Sequence, residues 1–115
     1  MNAKVLHKVE SAWPDPQQRD QAYGILRRYK GDGSTPGQTR VQLAMLKLAQ
    51  GSLDELLDLL EVADRDFRDV VAPAESPEEL RSTHIIKRHL TASEQAEVER
   101  IRKRDRQQYK RWLAE

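Results

Sequence analysis

Apolar residues recur three and four positions apart along most of this chain, whereas no stretch alternates apolar and polar residues as a strand does. A short amphipathic helix is predicted in residues 1–13 from the apolar positions Val5, Leu6, Val9 and Trp13. After the break "PDP", Asp15 fits the cap of a second helix and Pro16 its first position. Its apolar residues are Ala22, Ile25, Leu26 and Tyr29. The pattern therefore predicts an all-α fold.

The centre of the chain predicts two helices joined by almost no linker. Residues 36–50 are apolar nearly all round, which is typical of a helix packed between neighbours. Gly51 fits the end of that helix and Ser52 the cap of the next, so residues 36–50 and 53–71 are expected to form a tight αα-hairpin. A core-facing stripe is predicted on the second helix: Leu53, Leu56, Leu57, Leu60, Ala63, Phe67 and Val71.

Four segments have the Ser/Thr-x-x-Glu/Gln pattern of a capping box at a helix start: "TPGQ" (35–38), "SLDE" (52–55), "SPEE" (76–79) and "TASE" (91–94). A short helical or irregular stretch is expected over 78–90, and a long basic helix over 92–114. The fold prediction is a compact four- to five-helix domain built on the central hairpin. One domain should span residues 1–115, with 1–13 loosely attached and 30–37 forming a flexible loop.

The chain has 115 residues, of which 34% are charged and none is cysteine. No apolar run approaches the ~20 residues that span a bilayer, and the start of the chain lacks the apolar run of a secretory signal. We therefore expect no membrane association and a cytoplasmic location. The net charge is only +1, yet residues 54–80 hold ten acids and two bases, whereas residues 81–115 hold ten bases and five acids.

The last helix gathers cations into one candidate nucleic-acid or partner face: Arg100, Lys103, Arg104, Arg106, Lys110 and Arg111. Tyr109 and Trp112 could stack on bases, but they fall on the opposite, apolar face, which favours core packing. A solvated or internally paired basic face is the alternative interpretation.

Asp105 occupies a position where the periodicity of the last helix calls for an apolar residue. A buried carboxylate needs a partner, and Arg40 or Arg68 would suit. The other interpretation is a half-exposed Asp105 paired with Arg102 or Arg106 on its own helix. A polar core cluster of Arg68, Glu75 and Asp105 is a further hypothesis.

Familiar catalytic and metal-binding patterns are missing from the sequence. Without cysteine there is no thiolate chemistry, and His84 and His89 do not have the spacing of a helical metal site. The glycine-containing segment "GDGSTPG" lacks the P-loop lysine, and no serine has a G-x-S-x-G setting. We therefore expect no catalytic residues, no cofactor and no metal.

Two segments resemble a group of small uncharacterised bacterial helical proteins. "RVQLAMLKLAQGSLDELLDLLEVADRDFRDVVAPAESPEEL" (40–80) is similar to their R-V-x-L-A-x-L-K-L, G-[DS]-L-D-x-L and D-[YF]-R-D-V-[LV]-A-x-A-E-x-P. "RKRDRQQYKRWL" (102–113) is similar to their terminal R-x-R-D-R-x-Q-Y-x-x-W-L. Phe67 stands where Tyr is usual and Pro73 where Trp is usual. The resemblance implies a shared fold unit and draws attention to Asp66, Arg68, Asp69 and Glu75, but it implies no activity, cofactor or substrate.

Together these features predict a non-enzymatic protein–protein interaction or adaptor protein that self-associates, with a homodimer as the commonest form of such assembly. The alternative is a nucleic-acid-associated protein that binds phosphates through the basic last helix. The two functions differ in salt response, because phosphate binding weakens steeply with salt and an apolar interface does not.

Overall fold

A computed structural model describes residues 1–31, 33–82 and 90–115. Within these ranges the regular structure is entirely helical, which confirms the all-α prediction and the long C-terminal helix. We number the helices in chain order: α1 (Ala3–Ala12), α2 (Pro16–Arg28), α3 (Thr35–Ala49), α4 (Leu53–Arg65), α5 (Arg68–Glu75), α6 (Pro77–Arg81) and α7 (Ala92–Ala114). None of these described helices is long and apolar enough to cross a membrane.

The chain divides into two compact units, Met1–Val71 and Ala72–Glu115, and the boundary falls within α5. We call them unit 1 and unit 2 and describe each by itself. The expectation of a single domain over 1–115 stays a prediction.

Unit 1 is built around α3 and α4, which pack against each other, while α2 packs on α4 and α1 packs on α2 and α3. The largest fully buried side chains of this unit are Val5, Val9, Leu26, Met45, Leu56 and Val70. Burial of each such side chain contributes roughly 1.5–3 kcal/mol. All six residues from Val41 to Leu46 are buried, as expected for a helix with neighbours on most sides. The buried side chain of Gln42 donates to the backbone oxygen of Leu26 at 3.1 Å and so ties α3 to α2.

The second arm of the predicted hairpin is two helices, and the prediction of one helix over 53–71 is wrong. α4 ends at Arg65, Asp66 is extended (φ −159°, ψ 107°), and α5 begins at Arg68. The carboxylate of Asp66 accepts from the backbone N–H of Arg68, so a local side-chain bond competes with continuation of the helix. Phe67 lies in this break and is 45% exposed, and Leu57 is 41% exposed, so neither belongs to the core stripe.

The four predicted helix starts differ in how they are capped. "TASE" is confirmed as a capping box, since Thr91 and Glu94 bond to each other's backbone N–H. Ser52 caps α4 by accepting from the backbone N–H of Glu55, which is one of the two bonds of a capping box. The helix predicted to begin with Thr35 as its cap has Ser34 at that position instead, and Ser34 makes no side-chain cap bond to the helix. The side chain of Gln38 donates to the backbone oxygen of Tyr29 at 2.6 Å.

In unit 2, the short helix α6 packs on α7. The buried residues of α7 are Val98, Ile101 and Asp105. Tyr109 and Trp112 are half-buried, with ring centroids 5.6 Å apart. The two rings thus contact each other, as the apolar face of the last helix predicts.

Candidate functional site

The aspartate of the basic helix caps its neighbour. Asp105 is 3% exposed, and its two carboxylate oxygens accept from the backbone N–H groups of Glu78 at 3.1 Å and Glu79 at 2.9 Å. These are N-terminal N–H groups of α6, which have no partner within their own helix. Ser76, the residue at the predicted cap, makes no side-chain cap bond. The cap therefore comes from another helix, which neither interpretation of Asp105 anticipated.

Charged pairs flank this cap on both sides. The guanidinium of Arg104 donates to the carboxylate of Glu78, at 2.7 Å from Nη2, and Arg102 donates to Glu79. The hydrogen bond from Arg104 holds the pKa of Glu78 below its ordinary value. Gln108 adds longer bonds of 3.4 and 3.5 Å to the backbone oxygens of Ala74 and Glu75. Side chains of α7 thus hold the segment 74–79 in place: Arg102, Arg104, Asp105 and Gln108.

The predicted basic face of α7 is divided by these pairs. Arg100 bonds to Glu97, with 2.6 Å between Nη2 and Oε2, and Arg104 bonds to Glu78. The side chains of the other four cations are exposed and make no hydrogen bond or ion pair with the described part of the chain: Lys103, Arg106, Lys110 and Arg111. Internal pairing therefore occupies part of the face and leaves the rest to solvent.

The three residues of the hypothesised polar core cluster have other contacts. Arg68 is exposed and forms a two-pronged pair with Asp66, at 3.0 Å from Nε and 2.9 Å from Nη2. The side-chain bond from Arg68 lowers the pKa of Asp66. Glu75 is half-buried, and its backbone oxygen accepts from Gln108. The carboxylate of Asp105 is held by backbone amides, so Asp105 does not need Arg68 as its counter-ion.

A cleft of about 800 Å³ opens in unit 1 where α2, α3 and α4 meet the α4–α5 break. Its floor includes the buried side chains of Tyr29, Val41 and Ala63. Five cations and an aromatic side chain line its rim: Arg28, Lys30, Arg40, Arg65, Arg68 and Phe67. Asp64 and Asp66 are the acids that line it. The lining therefore carries a net charge of +3, and we name it the cationic cleft.

Three of the rim cations are exposed without a counter-ion among the described residues. Arg28, Lys30 and Arg65 make no side-chain hydrogen bond or ion pair with the residues that the structure describes. Arg28 and Arg65 stand in the last turns of α2 and α4, where the helix dipole favours a cation. The two helix ends bring them to one cleft beside the exposed ring of Phe67. The sequence pattern does not indicate this gathering, because the cations come from separate helices and form no run along the chain.

The outer face of α4 carries the opposite charge. Asp54, Asp58 and Glu61 follow one another at intervals of four and three residues, which places them on one side of the helix. All three are exposed and form no ion pair within the described ranges. Leu57, also exposed, lies in the same stretch of helix. We name Asp54, Asp58 and Glu61 the acidic stripe.

Metal chemistry gains no support from the described ranges, in which no group of three His, Asp or Glu side chains is arranged to hold a metal ion. His84 and His89 lie outside the described residues, so their interpretation stays a prediction.

Comparison of the chain with protein-family models, with curated proteins and with solved structures finds no match. The resemblance seen in residues 40–80 and 102–113 stays a prediction, and the geometry of the cationic cleft and the acidic stripe is the basis for a functional assignment.

Proposed function

We propose that this chain is a non-enzymatic protein-interaction or adaptor protein that self-associates, and that the cationic cleft is its docking site for an acidic protein surface. We also propose that it acts in the cytoplasm, in keeping with the absence of a membrane-spanning helix from the described residues. In this account the terminal signature on α7 has a structural role, because its side chains hold the segment 74–79.

The observation that carries the proposal is the set of unpaired cations around an apolar floor. Arg28, Lys30 and Arg65 have no counter-ion within the described residues, while the floor beneath them is apolar and Phe67 stands exposed at the rim. Interfaces combine desolvated aromatic anchors with a charged rim that selects and orients the partner. In this proposal Phe67 is the aromatic anchor, and the three cations form the charged rim.

An acidic protein surface suits this cleft better than a bare phosphate. Asp64 and Asp66 line the same cleft, and their charges oppose a small polyanion. A protein partner can place its acids against the cations and an apolar side chain against Phe67, away from the two aspartates. The signature "DFRD" also contributes Asp66, Phe67 and Arg68 to this lining, which links the resemblance to the proposed docking site.

Photocrosslinking from the cleft tests the proposal. Phe67 is replaced by p-benzoylphenylalanine in the full-length chain, expressed in its own host, and the adducts are identified after irradiation. The comparison protein carries the same label with Arg28→Glu and Arg65→Glu, and a nuclease-treated sample controls for nucleic acid. A second control places the label at Leu80, which is exposed to a similar extent in unit 2.

We expect protein adducts from position 67 that resist nuclease and disappear with the charge reversal. Adducts with nucleic acid alone, or protein adducts that the charge reversal leaves unchanged, would contradict the proposal. Loss of adducts through misfolding is identified by circular dichroism of the variant.

Nucleic-acid binding through α7 is the second candidate. Lys103, Arg106 and Lys110 are three and four residues apart, so they form one exposed stripe without a counter-ion in the described part of the chain. Stacking of bases on this helix is disfavoured, because the rings of Tyr109 and Trp112 are half-buried. The test is binding of a labelled RNA or DNA oligonucleotide across a salt series. Each phosphate contact removed with one of these cations should reduce the salt slope by about 1.

A further inference from the structure

The proposed docking cleft lies on the same unit as a surface of opposite charge. We infer that the acidic surface bound by the cationic cleft is the acidic stripe of a second copy of this chain. This inference rests on the proposed function and names its partner. The contact joins Asp54, Asp58 and Glu61 of one copy to Arg28, Lys30 and Arg65 of the other.

A chain cannot fill its own cleft with its own stripe. Both features belong to α4: the stripe covers its first nine residues, and the cleft begins at Ala63 near its C-terminal end. Asp54 and Arg65 are eleven residues apart on one continuous helix, or about 16 Å along its axis. Even Glu61, one turn before Arg65, forms no ion pair with it. These acids and cations, which have no partners in the described ranges, can therefore meet across two molecules.

An antiparallel pairing of two α4 helices satisfies both copies at once. It places the acidic N-terminal part of each helix beside the cationic C-terminal end of the other, and it also opposes the two helix dipoles. Because each copy offers both surfaces, a two-fold axis forms the same contact twice and closes the assembly at a dimer.

Apolar contact accompanies this charge complementarity. Leu57, beside the stripe, is 41% exposed, and Phe67, on the rim of the cleft, is 45% exposed. In the antiparallel pairing, Leu57 of one copy approaches Phe67 of the other. The dimer then covers two of the large apolar side chains that one copy leaves in water, and this burial adds a contribution that salt does not screen.

A charge-swap experiment on the full-length chain tests the inference. The cleft variant carries Arg28→Glu and Arg65→Glu, and the stripe variant carries Asp58→Lys and Glu61→Lys. Analytical ultracentrifugation compares each variant alone with an equimolar mixture of the two. The matched control carries Arg106→Glu and Lys110→Glu, on the exposed face of α7. Circular dichroism shows that each protein is folded, and nuclease treatment removes bound nucleic acid.

We expect the wild type and the control to dimerise, and each variant alone to have a dimer dissociation constant raised about tenfold or more. In the mixed dimer, the reversed cleft of one variant faces the reversed stripe of the other, and the native stripe of the first faces the native cleft of the second. Both contacts join opposite charges, so a heterodimer should form again with nearly the wild-type affinity. This recovery cannot arise from variants that merely fail to fold.

Four results would overturn the inference. A wild type that remains monomeric would do so, and it would also contradict the self-association in the proposed function. A dimer that forms equally well in both variants would contradict the inference alone. If the cleft variant dissociates but the stripe variant does not, the cleft binds another surface; the inference then fails while the proposed function stands. The docking role proposed for the cleft fails separately, when the protein adducts from position 67 are unchanged by charge reversal at Arg28 and Arg65. Association that depends on bound nucleic acid would overturn both.

Discussion

The carboxylate of Asp105 lies 2.9 Å from the backbone nitrogen of Glu79, so a residue 26 positions away caps helix α6. The same carboxylate also accepts from the backbone N–H of Glu78. A cap normally comes from the residue just before the helix, and Ser76 stands there without making the bond. Asp105 thereby joins two elements that are distant in sequence and gives unit 2 a specific polar contact.

Replacing Asp105 by Ala should lower the free energy of unfolding by about 1–3 kcal/mol, because two backbone N–H groups lose their acceptor. Asp105→Asn should have a smaller effect, since its amide oxygen still accepts one bond. Urea denaturation of the full chain measures both, with Asp20→Ala on the exposed face of α2 as the control. An Asp105→Ala protein as stable as the control would show that the cap has no energetic role.

The ion pair beside this cap predicts a pH dependence. The hydrogen bond from Arg104 lowers the pKa of Glu78 in the folded chain below the ordinary value of 4.5. A carboxyl group with a lowered folded pKa stabilises the fold above its unfolded pKa, and this stability is lost as pH falls through the folded pKa. Between about pH 5 and 3, Glu78→Gln should therefore lose less stability than the wild type. Glu10→Gln, which removes an exposed carboxyl group of α1, is the control. A wild type that loses no more stability than Glu78→Gln over this pH range would contradict the prediction.

Two glycines predict opposite effects of the same substitution. Gly31 has φ +58°, and a Cβ there would lie 2.9 Å from the hydroxyl oxygen of Tyr29, so Gly31→Ala should destabilise unit 1. Gly24 lies inside α2, and a Cβ there meets no atom within 4 Å, so Gly24→Ala should stabilise by about 0.5–1 kcal/mol. Thermal melts of the two variants provide the measurement, and equal melting temperatures would contradict this interpretation.

The sequence predicts most helix starts well, because the residues that cap a helix lie next to it in the chain. Asp15 accepts from the backbone of Gln18, and Thr91 and Glu94 form their capping box, as the neighbouring residues indicate. The break at Asp66 is less predictable, because the apolar spacing continues through Phe67 and Val71 as if one helix persisted. What stops α4 is the bond between Asp66 and the backbone N–H of Arg68, which periodicity does not encode.

The candidate site is predictable only in part, for a related reason. The pattern on α7 identifies its cations, yet their counter-ions Glu78 and Glu79 come from another helix, so the sequence cannot separate paired from solvated arginines. The cationic cleft cannot be predicted from the sequence pattern. Arg28 and Arg65 are 37 positions apart and meet only because α2 packs on α4.

Phe67 separates a role in association from a role in folding. Because its ring is 45% exposed, Phe67→Ala should change the free energy of unfolding by less than about 0.5 kcal/mol. The same substitution should weaken dimerisation, because the ring is the aromatic anchor of the proposed interface. Leu80→Ala is the matched control, since Leu80 is 46% exposed on α6. Dimerisation that is equally affected by both substitutions would remove Phe67 from the interface.

The most direct test of the central claim is the salt dependence of self-association of the wild-type chain, measured by sedimentation velocity after nuclease treatment. The contact between the cationic cleft and the acidic stripe should weaken when sodium chloride is raised from about 50 to 500 mM, because exposed ion pairs are screened over a few ångströms at high salt. We predict a dimer at low salt that dissociates progressively as salt increases. A monomer at both salt concentrations, or a dimer indifferent to salt, would contradict the account.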